Sequence, residues 1–270
     1  MYFLFTDETN RVANDEVKFF IYGGVIIPAD SFPALHQRVS LARHQMGLLA
    51  TEELKFETRS RTRRFNEAHP DAAARHALAK SRVLDACASL GVKFLACAVL
   101  HDIARSRGQE ELVTWGMNVV IGGFDRFLTS EGDHGVCLID NFPFPRGDRV
   151  IREKFQRGLT FRDRDDIALP RILSYGFTTS GASHASAVTD IVLGGFRFCV
   201  NGREDHPAVC DIFPRIHSLL WSRQYGTGRR ILDYGLRLMP KVPAAVHRVE
   251  YTALRDKLNR MASRIQLGNS

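Results

Sequence analysis

Residues 2–10, YFLFTDETN, are followed after a polar stretch by residues 18–27, KFFIYGGVII. Large aromatic and aliphatic side chains fit a pleated, half-buried surface, so the two runs read as the arms of a β-hairpin. Side chains alternate between faces along a strand, which puts Phe3, Phe5 and Asp7 on one face and Glu8 on the other. An acid that closes an apolar strand face is costly to bury without a partner. Asp7 is therefore either a local turn acceptor or part of a site. Pro28 stops the second arm, since it cannot donate to a ladder.

Outward from the hairpin, strands and helices alternate. Leu35, Val39, Ala42 and Met46 recur at helical spacing, and residues 53–57, ELKFE, read as a short strand-like piece. A second helix opens at Pro70 and Asp71, carries Ala74, Leu78, Val83, Leu84 and Cys87 as its stripe, and ends at Gly91. Residues 92–100, VKFLACAVL, are too continuously apolar for a half-exposed strand and read as a buried central one. A striped helix over 110–128 precedes a second buried strand, GVCLID, residues 135–140. A helix over 149–159, an extended run over 172–179 and an apolar helix over 186–200 follow. Beyond Gly202 the pattern turns helical, with Tyr251, Leu254, Leu258, Met261 and Ile265 marking a docking helix. This order describes a mixed sheet flanked by helices: one α/β domain over residues 1–202 and a helical C-terminal extension, 203–270, packed on it.

Composition narrows the class. The 270 residues are 44% apolar and 25% charged, an ordinary globular balance, and the formal charge of +7 favours a polyanionic partner. The cysteines (Cys87, Cys97, Cys137, Cys199 and Cys210) are odd in number and form no C-x-x-C pair, which points to a reducing, cytoplasmic setting. The apolar start is too short and too soon acidic for a secretory leader, and no stretch is long and apolar enough for a membrane span.

Three acids stand out against apolar surroundings. Asp7 ends the first strand, Asp140 ends GVCLID after Val136 and Leu138, and Asp190 is the lone acid on SAVTDIVLGGF. If they converge, they make an oxygen-rich site suited to Mg²⁺ or Mn²⁺. Two such ions ~4 Å apart activate water and stabilise the leaving oxygen in displacement at phosphorus. Each acid also has a plain alternative. Asp140, before Asn141 and Pro143, suits a turn acceptor or helix cap equally well.

One acid on the first strand, one ending a later strand and one on a late helix resemble the ribonuclease H-like fold. The chain resembles in particular a domain-of-unknown-function family, numbered 3800, of ribonuclease H-like bacterial and phage proteins. FLFTDETN matches that family's strand into D-E-S-G at Asp7 and Glu8, with Thr9 and Asn10 replacing the Ser-Gly pair. FFIYGGVII, Glu53-Leu54-Lys55, CLID and SAVTDIVLGG match its later motifs, with Ala187 where the family has glutamine. The resemblance covers roughly residues 1–200. It implies a nuclease in which Asp7, Asp140 and Asp190 bind Mg²⁺ or Mn²⁺, with Glu53 as fourth ligand and Glu8 and Glu57 as weaker candidates.

Lys55, two residues after Glu53, is placed to neutralise a phosphate, or else both are surface residues of an edge strand. Arg59, Arg61, Arg63 and Arg64 in one run and Arg149 and Arg152 in another are candidates to track a nucleic-acid backbone, although such runs are more often solvated faces. Ser183 sits in TSGASHAS, an incomplete G-x-S-x-G, and His184 is a candidate rim residue. The expected function is metal-dependent hydrolysis of DNA or RNA, with phage defence or mobile-element biology as its setting. The departures at Thr9, Asn10 and Ala187 motivate an alternative, a non-catalytic nucleic-acid or protein-binding module with the same fold.

Overall fold

The two opening runs pair as antiparallel strands, β1 (Tyr2–Thr9) and β2 (Phe19–Pro28), in a computed structural model. The structure describes residues 1–9, 17–48, 52–57, 70–105, 109–140, 147–160, 166–179, 183–226 and 228–268. There follow α1 (Phe32–Gln45), α2 (Ala72–Ser89), β3 (Lys93–Leu100), α3 (His101–Arg105), α4 (Gln109–Glu131), β4 (Gly135–Asp140) and α5 (Gly147–Arg157). The remainder is β5 (Ile172–Thr178), α6 (His184–Asn201), α7 (Pro207–Leu219), β6 (Arg223–Tyr225), β7 (Gly228–Arg230), β8 (Leu236–Met239) and α8 (Arg248–Gly268).

Six strands form one mixed sheet in the order β5-β4-β1-β2-β3-β8. The β1-β2 and β2-β3 pairs are antiparallel, while β4 joins β1, β5 joins β4 and β8 joins β3 in parallel. Parallel neighbours need crossovers, and here the connecting helices cover both faces of the sheet. Phe5, Ile21, Val25 and Phe94 point into a core closed by α1, α2, α6, α7 and α8. Leu4, Tyr22, Leu95, Cys137 and Ile139 point into a second core under α4. No described helix is long and apolar enough to cross a membrane.

Four expectations need correction. Residues 53–57 are not a strand; Leu54 and Phe56 are buried, but against α6 rather than in a ladder. The C-terminal segment is not all helical, because β6 and β7 form a separate two-stranded ribbon and β8 extends the main sheet beside β3. Along α2 the buried stripe runs through Ala72, His76, Ala79, Val83 and Cys87, leaving Ala74 and Leu78 outward. One imidazole inside the stripe disguised its phase. Finally, β4 is buried at Gly135, Cys137 and Ile139 but only half-buried at Val136, Leu138 and Asp140.

The docking helix α8 behaves as its spacing predicts: Tyr251, Leu254 and Met261 are buried, with Leu258 and Ile265 packed beside them. Its anchor is polar. The Tyr251 hydroxyl accepts the Leu100 N–H at 2.9 Å and donates to the Met239 carbonyl at 2.5 Å, tying α8 to the ends of β3 and β8. Tyr251→Phe strands both backbone groups and is expected to lower stability by about 1–3 kcal/mol in urea unfolding. An unchanged midpoint would show that apolar packing alone holds α8.

Candidate functional site: acids at the ends of adjacent parallel strands

The register of β1 on β4 runs from Tyr2 opposite Gly135 to Thr6 opposite Ile139. One step further along each strand stand Asp7 and Asp140. Phe5 and Leu138 are partners two residues earlier and both pack on the first core, so by the two-residue period the acids share that face. Both are half-buried. In the other direction Asp7 is paired with Gly23 of β2.

Helix α6 crosses this face. A Cβ built on Gly23 would stand 2.7 Å from Leu193 Cδ1 and 3.0 Å from the Leu95 carbonyl, so a bare glycine lets the helix settle beside Asp7's partner strand. Asp190 lies one helical turn before Leu193. The chain segment before α2 fastens to the same helix. The Phe56 N–H donates to Asp190 Oδ2 at 2.7 Å, and the Phe56 ring sits where a Cβ on Gly194 would be, 2.5 Å from the Phe56 Cβ. Glu57 then ion-pairs with Arg197, one further turn along. Three residues before Phe56, Glu53 is paired within the segment, with Lys55 Nζ 3.0 Å from Glu53 Oε2.

The strand ends are organised electrostatically. Asp7 Oδ1 accepts the N–H of Glu8 at 2.7 Å. Glu8 pairs in register with Tyr22 and so belongs to the opposite face from Asp7. On that opposite face the Thr6 hydroxyl and the Tyr22 phenol are 2.8 Å apart in a fully buried hydrogen bond. Burial first, with Cys137, Asp7 and Asp140 adding, holds the Tyr22 phenol well above its ordinary pKa, so it stays protonated. In the sequence only the hydroxyl inside an otherwise apolar run distinguishes Tyr22 from its core neighbours.

Asp7, Asp140, Asp190 and Glu53 offer only carboxylate oxygens, a donor set that fits Mg²⁺ or Mn²⁺ and not a soft metal. Among the described residues no three His, Cys, Asp or Glu side chains form a ready-made cation cage. What the fold brings together is Asp7 with Asp140 on adjacent strands, and Asp190 with the backbone of Phe56.

Other sequence candidates lie elsewhere. Arg59, Arg61, Arg63 and Arg64 are outside the described residues, as are Asn141 and Pro143. Arg149 and Arg152 are exposed on α5. Ser183 is the N-cap of α6, its Oγ accepting the Ser186 N–H at 3.3 Å, which gives that serine a structural use in place of a nucleophilic one. His184 packs against His36 with ring centroids 4.4 Å apart and the rings tilted by 50°. Burial, then the charges of His36 and Arg43, lower its pKa and favour the neutral ring.

A scan of protein-family models finds none that matches this chain, and no curated protein matches it in sequence.

The hydrogen bond to Asp190 makes a local prediction. Asp190→Ala leaves the Phe56 N–H without its acceptor, and hydrogen exchange at that amide is expected to accelerate about tenfold or more, whereas Asp190→Asn keeps an oxygen in place and largely preserves protection. Equal exchange in all three proteins would show that Phe56 is held by packing alone.

Proposed function

We propose that the chain is a ribonuclease H-like, divalent-metal-dependent nuclease hydrolysing phosphodiester bonds in DNA or RNA. The observation that carries this reading is the placement of Asp7 and Asp140 on adjacent parallel strands, each one step beyond the last β1-β4 pair, on the face crossed by the helix that bears Asp190. The strand order β3-β2-β1-β4-β5, with only β2 reversed, supports the fold assignment, as does the position of each acid on it. The net charge of +7 is in keeping with a phosphate-rich substrate.

In this reading Asp7, Asp140 and Asp190 hold Mg²⁺ or Mn²⁺, with Glu53 as an additional ligand. The cation supplies Lewis acidity, favouring hydroxide over water and offsetting charge on the phosphodiester. The chain's own part is positional. Parallel pairing fixes the spacing of the first two acids, the Glu8 N–H orients Asp7, and the Phe56 N–H orients Asp190. Lys55, held beside Glu53, is placed to meet a substrate phosphate. The buried Thr6–Tyr22 pair ties β1 to β2 on the opposite face of the sheet.

A second reading, a non-catalytic nucleic-acid or protein-binding module, is favoured by one observation: Asp190 already serves as the acceptor that fastens residues 52–57 to α6.

The test is cleavage of labelled single-stranded, duplex and hybrid nucleic acids with Mg²⁺ or Mn²⁺, comparing wild type with Asp140→Asn. The nuclease reading expects cutting that falls to background with the substitution or with chelator. Wild type that neither cuts nor binds Mn²⁺ would overturn it in favour of the module. Cutting that survives in Asp140→Asn would remove this site from the reaction.

A further inference from the structure

The ribbon β6-β7 stands apart from the main sheet. Its strands pair Arg223 with Arg230, Gln224 with Arg229 and Tyr225 with Gly228. It is tethered at the edge of β3, where the Trp221 N–H donates to the Phe94 carbonyl at 3.1 Å and Ala96 donates to the Gly235 carbonyl at 2.7 Å. Strands β2 and β3 therefore separate it from Asp7.

Nothing apolar explains its exposure. Of its residues only Tyr225 is aromatic, and that ring is 74% exposed. From Ser222 to Leu232 the sequence contains three arginines and no acid. Two clefts, of about 600 and 780 Å³, border the ribbon. Among the described residues lining them, six cations (Arg126, Arg223, Arg229, Arg230, Lys241 and Arg255) face two carboxylates, Glu131 and Asp233.

One of those carboxylates is spoken for, since Asp233 pairs with Arg230 at 2.9 Å. Arg229 is aimed by a 2.8 Å bond to the Ser222 hydroxyl, which orients it without neutralising it. Positive charge therefore accumulates at the ribbon's base. The pKa of Lys93 and that of His217 are both lowered, by burial first and then by the charge of Arg229.

We infer that the β6-β7 ribbon is a docking element for duplex DNA, entering the major groove while the cations of the flanking clefts meet the phosphates on either side. Three-residue strands make a ribbon about 10 Å long, and the major groove is wide enough to admit a two-stranded ribbon. A lipid surface is a poorer match, because the ribbon carries no aliphatic side chain to insert. The inference does not rest on the carboxylate site. It assigns to a separate place a contact that would hold substrate near the acids if the nuclease reading is right.

The experiment is fluorescence anisotropy of a labelled DNA duplex of 20 base pairs, in chelator and on an Asp140→Asn background, so that binding is measured without hydrolysis. Removing the ribbon's contacts together, with Arg223→Ala, Tyr225→Ala and Arg229→Ala, is expected to raise Kd about tenfold or more and to reduce the salt dependence of log K by about 2. A charge-matched control, Arg75→Ala with Arg203→Ala, is expected to stay within about twofold. Far-ultraviolet circular dichroism and a thermal melt check that each protein is folded. Failure of the parent protein to bind the duplex, equal affinity of parent and ribbon variant, or stronger capture by phosphatidylserine vesicles than by duplex would each overturn the proposal.

Discussion

Parallel pairing of β1 with β4 is the constraint from which the rest of the candidate site follows. A parallel neighbour cannot be supplied by a tight turn; it needs a crossover, and α4 and its flanking segments provide it. Once that pairing is made, register leaves no freedom. Phe5 faces Leu138, and two residues later each strand carries an aspartate on the same side: Asp140 closes β4, while β1 runs on past Asp7 to Thr9 beside β2. A slip of one residue on either strand would send one carboxylate into the opposite core. The apolar residues on β1 and β4 thus decide, through burial, where two charges stand.

Two carboxylates on neighbouring strand ends repel each other, and half-burial weakens the screening that would make this harmless. The structure answers with hydrogen bonds and separation of faces. The Glu8 N–H takes one oxygen of Asp7, and the Glu8 carboxylate belongs to the other face, together with the hydroxyl pair of Thr6 and Tyr22. Asp190 reaches the region on an apolar helix whose approach depends on Gly23 on one side and Gly194 on the other. Lys55, on the same segment, pairs with Glu53, and Arg197 of α6 pairs with Glu57, so both acids of the segment have counter-charges.

Much of this was legible in the residues because burial imposes period. The two-residue alternation in Phe3, Phe5 and Asp7, and again in Val136, Leu138 and Asp140, predicted the shared strand faces before any pairing was known. The helix of Asp190 was equally plain. Residues 53–57 misled for a physical reason: Leu54 and Phe56 alternate with charged neighbours as in a strand, but their apolar face lies on α6, and Asp190 replaces a ladder partner. Strand β8 escaped notice because four residues between a basic ribbon and Pro240 are too few to show a period. The coupling of Asp190 to Phe56 spans 134 positions, and no local pattern reports such a contact.

The central claim, that Asp7, Asp140 and Asp190 serve one cation, is most directly tested by loading the protein with Fe²⁺ and generating hydroxyl radicals with ascorbate and peroxide. Sites of backbone scission are then mapped by mass spectrometry. The account predicts cuts clustered at the ends of β1 and β4 and in the middle of α6, suppressed by excess Mg²⁺ and lost in Asp7→Asn. Scission elsewhere, or scission indifferent to both Mg²⁺ and the substitution, would contradict it.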